Sequence, residues 1–260
     1  MLTKVVLITG ATGYFGRYFV KELSNYYSIV ALGRDIEKLD ELSEFTLENV
    51  CLDMYDINKT VQVIEQLSNK YDIYGLINNA YDFSTKTGFN TPCGKFEMIS
   101  IDMMRNGLES GILSPMVITQ IVCKQMIEKG IHGSIINISS MYGLVTPDVN
   151  LYEGKSVFNP IVYSVSKAAI DAMTRYIASF FGQYGIRCNS IAPGPFPNIE
   201  SQSDNSPDDK EFLERLKKKT MLNRFGHPKE LLGVLKLLLS DDSSFITGEI
   251  ISVDGGWTKK

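Results

Sequence analysis

Seven short runs rich in β-branched residues recur along the chain, separated by longer stretches with helical spacing. The runs are Val5–Thr9, Ser28–Leu32, Asn49–Leu52, Ile73–Ile77, Ser134–Ile138, Arg187–Ile191 and Ile250–Val253. They show little apolar-polar alternation, so each reads as a strand covered on both faces, as in a parallel sheet packed between helices. Helices are expected near 15–25, 57–69, 100–128, 161–183, 209–220 and 228–239. Asp56 is placed to cap the helix that follows it, and Pro228 to open the last one. Strand-helix alternation throughout requires right-handed crossovers. The expected fold class is α/β: one domain over residues 1–260, with a doubly wound, seven-stranded parallel sheet and helices on both faces.

Composition narrows the function classes. The 260 residues are 44% hydrophobic and 22% charged, with a formal net charge of -4, which excludes a disordered or low-complexity chain. Mild acidity argues against nucleic acid as a partner, because phosphate binding needs a basic field. The basic run Lys217–Lys219 follows the acidic residues Asp208, Asp209 and Glu211 and reads as a solvated helix face. Cys51, Cys93, Cys123 and Cys188 lack metal-ligand spacing, and His132 and His227 stand alone, so no metal site is expected. Free thiols fit a reducing compartment. No apolar stretch reaches the ~18 residues of a membrane span. A cytoplasmic protein with no membrane partner is expected.

Three segments break the strand-helix rhythm, at about 81–99, 141–160 and 194–220. Each is long for a connecting loop. Each follows the carboxyl end of an expected strand, the edge where open α/β sheets bind ligands. These are the expected substrate loops.

The motif Thr9-Gly10-Ala11-Thr12-Gly13-Tyr14-Phe15-Gly16 leaves a strand and enters a helix. That is the context of a Rossmann-type dinucleotide fingerprint. Gly10 permits the tight turn, Gly13 lets the backbone approach a pyrophosphate, and Gly16 lets the helix pack on the strand. Thr12, Tyr14 and Phe15 belong to the same cofactor-binding turn. At the end of the second strand, where a carboxylate would hold the ribose of NAD, stand Gly33 and then Arg34. A guanidinium there pairs with a 2′-phosphate, so NADP(H) is favoured over NAD(H). The other reading leaves Arg34 on the surface and gives the ribose to Asp35.

Tyr163 and Lys167 are four residues apart, on one face of a helix. An ammonium beside a phenol favours the phenolate and is expected to lower the Tyr163 pKa from about 10. That makes Tyr163 a usable general acid or base. Ser139 and Ser140 end a strand on the ligand edge, where one hydroxyl can donate to a reacting carbonyl.

Together these residues resemble the short-chain dehydrogenase/reductase family over essentially the whole chain. The resemblance includes Asp53, Asn78-Asn79-Ala80, Asn137-Ile138-Ser139-Ser140, Asn189 through Gly194, and Val253-Asp254-Gly255-Gly256. It implies that Ser140 polarises the substrate oxygen, that Tyr163 exchanges its proton, and that Lys167 lowers the Tyr163 pKa and holds the nicotinamide ribose. It also implies that Asp53 and Met54 meet adenine, and Asn79 and Ala80 the nearby ribose. The segment from Pro193 through Gly194 and Phe196 to Asn198 would line the nicotinamide. The glycine spacing is similar to the family's extended branch, whereas chain length and the Pro193-Gly194 and Asp254–Gly256 elements fit its compact single-domain branch.

Three positions depart from the pattern. Tyr81 replaces a usual glycine and would crowd the cofactor mouth. Gly111 stands where the resemblance places a tetrad asparagine, and the space is expected to admit a water beside Lys167. Asn198 takes the place of a usual threonine. An insert of roughly ten residues, Leu151–Asn159, carries aromatic rings, an acid, a base and amides suited to a polyhydroxylated substrate. With Tyr81, it resembles short-chain dehydrogenases of surface-sugar and flagellin-glycan pathways.

The expected function is therefore NADP(H)-dependent hydride transfer between nicotinamide and a carbonyl or hydroxyl carbon. The substrate is small and polar, with a sugar derivative among the candidates. Two alternatives stand beside it: a 3-ketoacyl-carrier-protein reductase and a non-catalytic NADP(H)-sensing module. The many apolar residues of 100–128, with the resemblance, imply a homodimer or homotetramer built on that helix and the next.

Overall fold

The computed structural model describes residues 4–198 and 207–260. Among them, seven parallel strands form one sheet: β1 (Val5–Thr9), β2 (Ser28–Gly33), β3 (Glu48–Cys51), β4 (Ile73–Asn78), β5 (Ser134–Ile138), β6 (Arg187–Pro193) and β7 (Ile250–Val253). The strand order is β3-β2-β1-β4-β5-β6-β7, so the winding reverses between β1 and β4. A crevice opens at such a reversal, outside the carboxyl ends of the strands.

The helices are α1 (Gly16–Leu23), α2 (Ile36–Asp40), α3 (Ile57–Lys70), α4 (Ile101–Leu108), α5 (Ser114–Lys129), α6 (Met141–Leu144), α7 (Ile161–Phe181), α8 (Pro207–Lys219) and α9 (Leu232–Leu239). All five residues of β1 are buried because successive side chains enter opposite cores. Val5 and Leu7 join Ile64, Val122 and Ile170 on one face. Val6 and Ile8 join Phe19, Leu235 and Leu238 on the other. Truncating Leu7, wholly buried, would cost about 2–5 kcal/mol. Polar bonds tie the strand ends together. Asn78 Nδ2 donates to Asn137 Oδ1 at 2.8 Å, and Asn137 Nδ2 to Thr174 Oγ1 at 2.8 Å.

Strand positions match the sequence expectation to within two residues, and Asp56 caps α3 by accepting from Lys59 N at 2.9 Å. The expected long helix at 100–128 is broken. A wider turn over Glu109–Leu113, in which the Ser114 N–H reaches the Glu109 carbonyl, separates α4 from α5. Gly111 sits in that turn, and Pro115, which has no N–H, opens α5. The last helix opens with a tight turn over Pro228–Leu231, where His227 Nδ1 accepts from Lys229 N at 3.2 Å. Of the expected loop at 194–220, residues 199–206 lie outside the described residues, and 207–219 are helical.

Candidate active site

The glycine turn is locked by contact. Gly10 has φ +63°, and a Cβ there would lie 2.8 Å from Ala80 Cα. A Cβ on Gly16 would lie 2.1 Å from the Gly10 carbonyl oxygen. Gly16 therefore serves the packing of α1 against the turn, and it is absent from the cleft wall that Gly10, Thr12, Gly13, Tyr14 and Phe15 help to form. Asn79 Nδ2 donates to the carbonyls of Thr9 and Gly10 at 3.1 and 3.0 Å, so this amide holds the turn shut. No side chain caps α1, and its first turn holds no acidic residue. The open N–H groups and the positive end of the helix suit a phosphate.

The cleft measures about 980 Å³ and runs from this turn to both strand edges. At one end lie Gly33, Arg34, Asp35, Lys38, Asp53 and Met54. A Cβ on Gly33 would press on Thr12 Oγ1 at 3.2 Å. Asp35 caps α2 through Lys38 N at 3.2 Å and pairs with Lys38 Nζ at 2.7 Å. Its carboxylate is thus engaged on the protein side, while Arg34 stays 58% exposed at the cleft.

At the other end, Ser140, Tyr163 and Lys167 meet Pro193, Gly194, Phe196 and Asn198. Ser140 lies two residues past β5 and caps α6, accepting from Tyr142 N at 3.1 Å, which leaves its own proton to donate. Tyr163 lies in the first turn of α7, and Lys167 one turn later sends Nζ to the Ile138 carbonyl at 2.7 Å. Gly194 admits Asp254, whose Cα would sit 2.5 Å from a Cβ at 194.

Electrostatics corrects one expectation. Burial pushes the Tyr163 phenol up to about 12, and a hydrogen bond with Ser140 only partly offsets this. The ammonium of Lys167 does not bring it below its ordinary value. Burial instead lowers Lys167 to about 8, opposed by the Asp171 carboxylate. A phenol so raised keeps its proton through the neutral range.

The expected space beside Gly111 is also corrected. A Cβ on Gly111 would lie 2.6 Å from Ser166 Oγ and 2.9 Å from Tyr81 Cε2, so the Tyr81 ring occupies that side. Tyr81 does not simply crowd the mouth. With Phe83 and Phe89 it walls in Tyr163, at ring distances of 4.9, 5.6 and 5.4 Å. The insert at Leu151–Asn159 stands behind this wall. Tyr152 packs on Phe158 and Phe212 at 5.5 and 5.6 Å, and no residue of the insert is among those lining the main cleft.

Sequence reasoning missed the aromatic wall and the pair Tyr55–Asp82. Tyr55 Oη donates to Asp82 Oδ2 at 2.9 Å, and Arg34 Nη2 lies 3.5 Å from Asp82 Oδ1. The aromatic clustering of Tyr81, Phe83 and Phe89 within one expected substrate loop was the available signal.

A sheet that reverses at a glycine turn, with a serine, a tyrosine and a lysine at the far end of one cleft, defines a nicotinamide-dependent oxidoreductase site. The chain belongs to the short-chain dehydrogenase/reductase family: a family model described as enoyl-(acyl carrier protein) reductase matches residues 27–258. It is 31% identical to the 7α-hydroxysteroid dehydrogenase of Paraclostridium sordellii, over 98% of this chain and 91% of that protein. It is 29% identical to the L-xylulose reductase of Caenorhabditis elegans, over 98% of this chain and 96% of that protein. A short-chain dehydrogenase of Leptospira borgpetersenii, solved with bound NAD+, superposes with TM-score 0.84 at 27% identity, over 99% of this chain and 94% of that one. This protein is thus an NAD(P)-dependent oxidoreductase acting on CH–OH groups. The matches fix the family and no subfamily within it. Among the described residues, no helix is long and apolar enough to cross a membrane.

Proposed function

We propose that the protein is an NADP(H)-preferring carbonyl reductase for a small polar hydroxy or keto compound, with sugar derivatives the leading class. The convergence of Ser140, Tyr163 and Lys167 at the end of the cleft carries this reading. Bound nicotinamide supplies or accepts the hydride. Ser140 donates to the substrate oxygen. Tyr163, which holds its proton at neutral pH, donates that proton as charge develops on the same oxygen. Lys167 carries positive charge beside the phenolate that remains and would support the ribose of a bound nicotinamide. The aromatic wall excludes water and offers ring faces to the C–H side of a sugar.

The cofactor preference rests on Arg34 with Lys38 nearby, on the glycine at 33, and on Asp35 being engaged in capping α2. The sugar class is supported by the L-xylulose reductase relative. The steroid relative and the family model's description point to apolar substrates instead. Purified protein should therefore be given NADPH or NADH with keto sugars, sugar phosphates, nucleotide sugars, a ketosteroid, and ketoacyl or enoyl thioesters, and followed at the reduced-cofactor absorbance. Turnover with a keto sugar and NADPH is the expected result. Turnover confined to thioesters would replace this reading with an acyl-carrier one, and cofactor binding without turnover on any carbonyl would replace it with a sensing module.

A further inference from the structure

Lys167 is 4% exposed, and the Ile138 carbonyl accepts a hydrogen bond from one of its three ammonium protons. A buried ammonium needs more than one partner to remain charged. The titratable groups that face it are Tyr163 and Asp171 on its own helix and Tyr81 from the loop after β4. The β5 end contributes the Ile138 carbonyl and Ser139, whose hydroxyl goes to the Lys167 carbonyl rather than to the ammonium. Tyr81 is the group that comes from outside α7 with a surface a cation can use. Lys167 Nζ stands 5.3 Å from the centre of its ring. The same ring meets Tyr163 edge to face, at 4.9 Å and 83°.

Something must let a ring into this position. The wider turn between α4 and α5 brings the Gly111 backbone against Tyr81 Cε2, at a spacing where a Cβ would be 2.9 Å away. Ser166, next to Lys167, closes the same point from α7 at 2.6 Å. A side chain at 111 would overlap both Ser166 and the edge of the ring, so this packing could not stay as it is. The Tyr81 hydroxyl itself is enclosed and has no partner among the described residues, so it is the ring, not the oxygen, that the surroundings are shaped to hold.

We infer that Tyr81 is a positioning residue whose ring face keeps the Lys167 ammonium charged and in place, and that Gly111 is the backbone gap that seats this ring. The inference rests on the role proposed above for Lys167. It assigns work to two positions that depart from the family pattern, and it makes them a unit. Removing the ring withdraws a partner of the charged form, so the Lys167 pKa falls further below its ordinary value.

The test compares Tyr81→Leu, Tyr81→Phe and Gly111→Ala. The alkaline limb of kcat against pH should move down by about one pH unit in Tyr81→Leu. Tyr81→Phe, which keeps the ring, should keep the limb where the unaltered protein has it. Gly111→Ala should reproduce the Leu variant's shift although it lies on another element. A ¹⁵N NMR titration of the Lys167 ammonium in cofactor-free protein, assigned against Lys167→Met, reads the same shift without turnover. An ammonium pKa unchanged in Tyr81→Leu, raised by entering water, or altered equally in the Phe variant would overturn the inference. Failure of the functional reading looks different: turnover would survive in Lys167→Met while the NMR shifts still follow Tyr81.

Discussion

Arg34 and Asp82 form an ion pair of unequal exposure: the guanidinium is 58% exposed and the carboxylate 4%, with 3.5 Å between Nη2 and Oδ1. Burial alone would raise the Asp82 pKa, but hydrogen bonds from Tyr55 and Ser84 and the charge of Arg34 outweigh it and hold the carboxyl below its ordinary value. Asp82 is thus a buried anion beneath an exposed cation, at the end of the cleft that Gly33 also lines.

From this pair follows the first prediction. Arg34→Ala should weaken NADP(H) binding by about 10- to 100-fold, the cost of losing a charge-assisted contact worth ~1.5–3 kcal/mol. NAD(H) binding should change little. Asp82→Asn should tighten NADP(H), because it removes the negative charge competing for the guanidinium. Calorimetric titration of both cofactors reads this, and equal losses for NADP(H) and NAD(H) in Arg34→Ala would refute the assignment.

The second prediction concerns the proton. Tyr163→Phe keeps the ring that packs on Tyr81, Phe83 and Phe89, and removes only the hydroxyl that meets Ser140. The fold should stand and kcat should drop by ~10²–10⁴-fold. Cofactor affinity should stay within about threefold, since the loss is of a proton donor. Near-normal turnover would remove Tyr163 from the chemistry.

How much of this was legible in the sequence depended on distance along the chain. The strands, the glycine turn and the Tyr163–Lys167 pair are local patterns, each set within about one helical turn or one strand. Gly111 with Tyr81 is different. A glycine in a long apolar segment and a tyrosine after Asn-Asn-Ala are separate oddities until the wider turn after α4 and the loop after β4 bring them together. Arg34 with Asp82 is the same case across β2 and β4. The broken helix escaped notice because its apolar residues continue through the wider turn, and hydrophobic spacing does not register one extra residue. The insert at Leu151–Asn159 suggested substrate contact by composition, yet rings suited to a ligand equally suit each other, and Tyr152 and Phe158 found one another.

A third prediction uses the stability cost of Lys167. Its folded pKa of about 8 lies below the ordinary 10.5 of an unfolded lysine. Below pH 8 both states hold the proton, so the burial penalty is constant. Between 8 and 10.5 the unfolded chain binds a proton that the native state has released, and stability rises with pH. The gain reaches about 3 kcal/mol at most. Tyr163 works in the opposite sense only above pH 10, because its folded pKa is raised to about 12. Urea midpoints at pH 7.5 and pH 9.5 should therefore diverge between the unaltered protein and Lys167→Met, with Lys167→Met the more stable at pH 7.5 and the gap narrowing at 9.5. A gap independent of pH would mean the ammonium is not penalised by burial.

The last prediction concerns assembly. Along α7, Ile161, Val165, Ala168, Ala172, Tyr176 and Phe180 follow one another at three- and four-residue steps, and all are exposed. Such a stripe on a helix normally faces a core. Tyr176 and Phe180 stack at 4.2 Å, presenting a flat apolar surface with exposures of 56% and 54%. Along α4, the wider turn and α5, Leu108, Leu113 and Met116 are exposed at 39%, 45% and 48%. Exposed apolar surface of this kind suits contact with another chain. A second copy related by a two-fold axis would set α7 against α7, apolar stripe on apolar stripe, with the exposed Arg175 beside it. Sedimentation should show a dimer or tetramer at micromolar concentration. Val165→Asp with Phe180→Asp should give a folded monomer, since both side chains lie outside the core, and circular dichroism should be unchanged. A monomeric unaltered protein, or a double variant that still assembles, would show that this face serves another purpose.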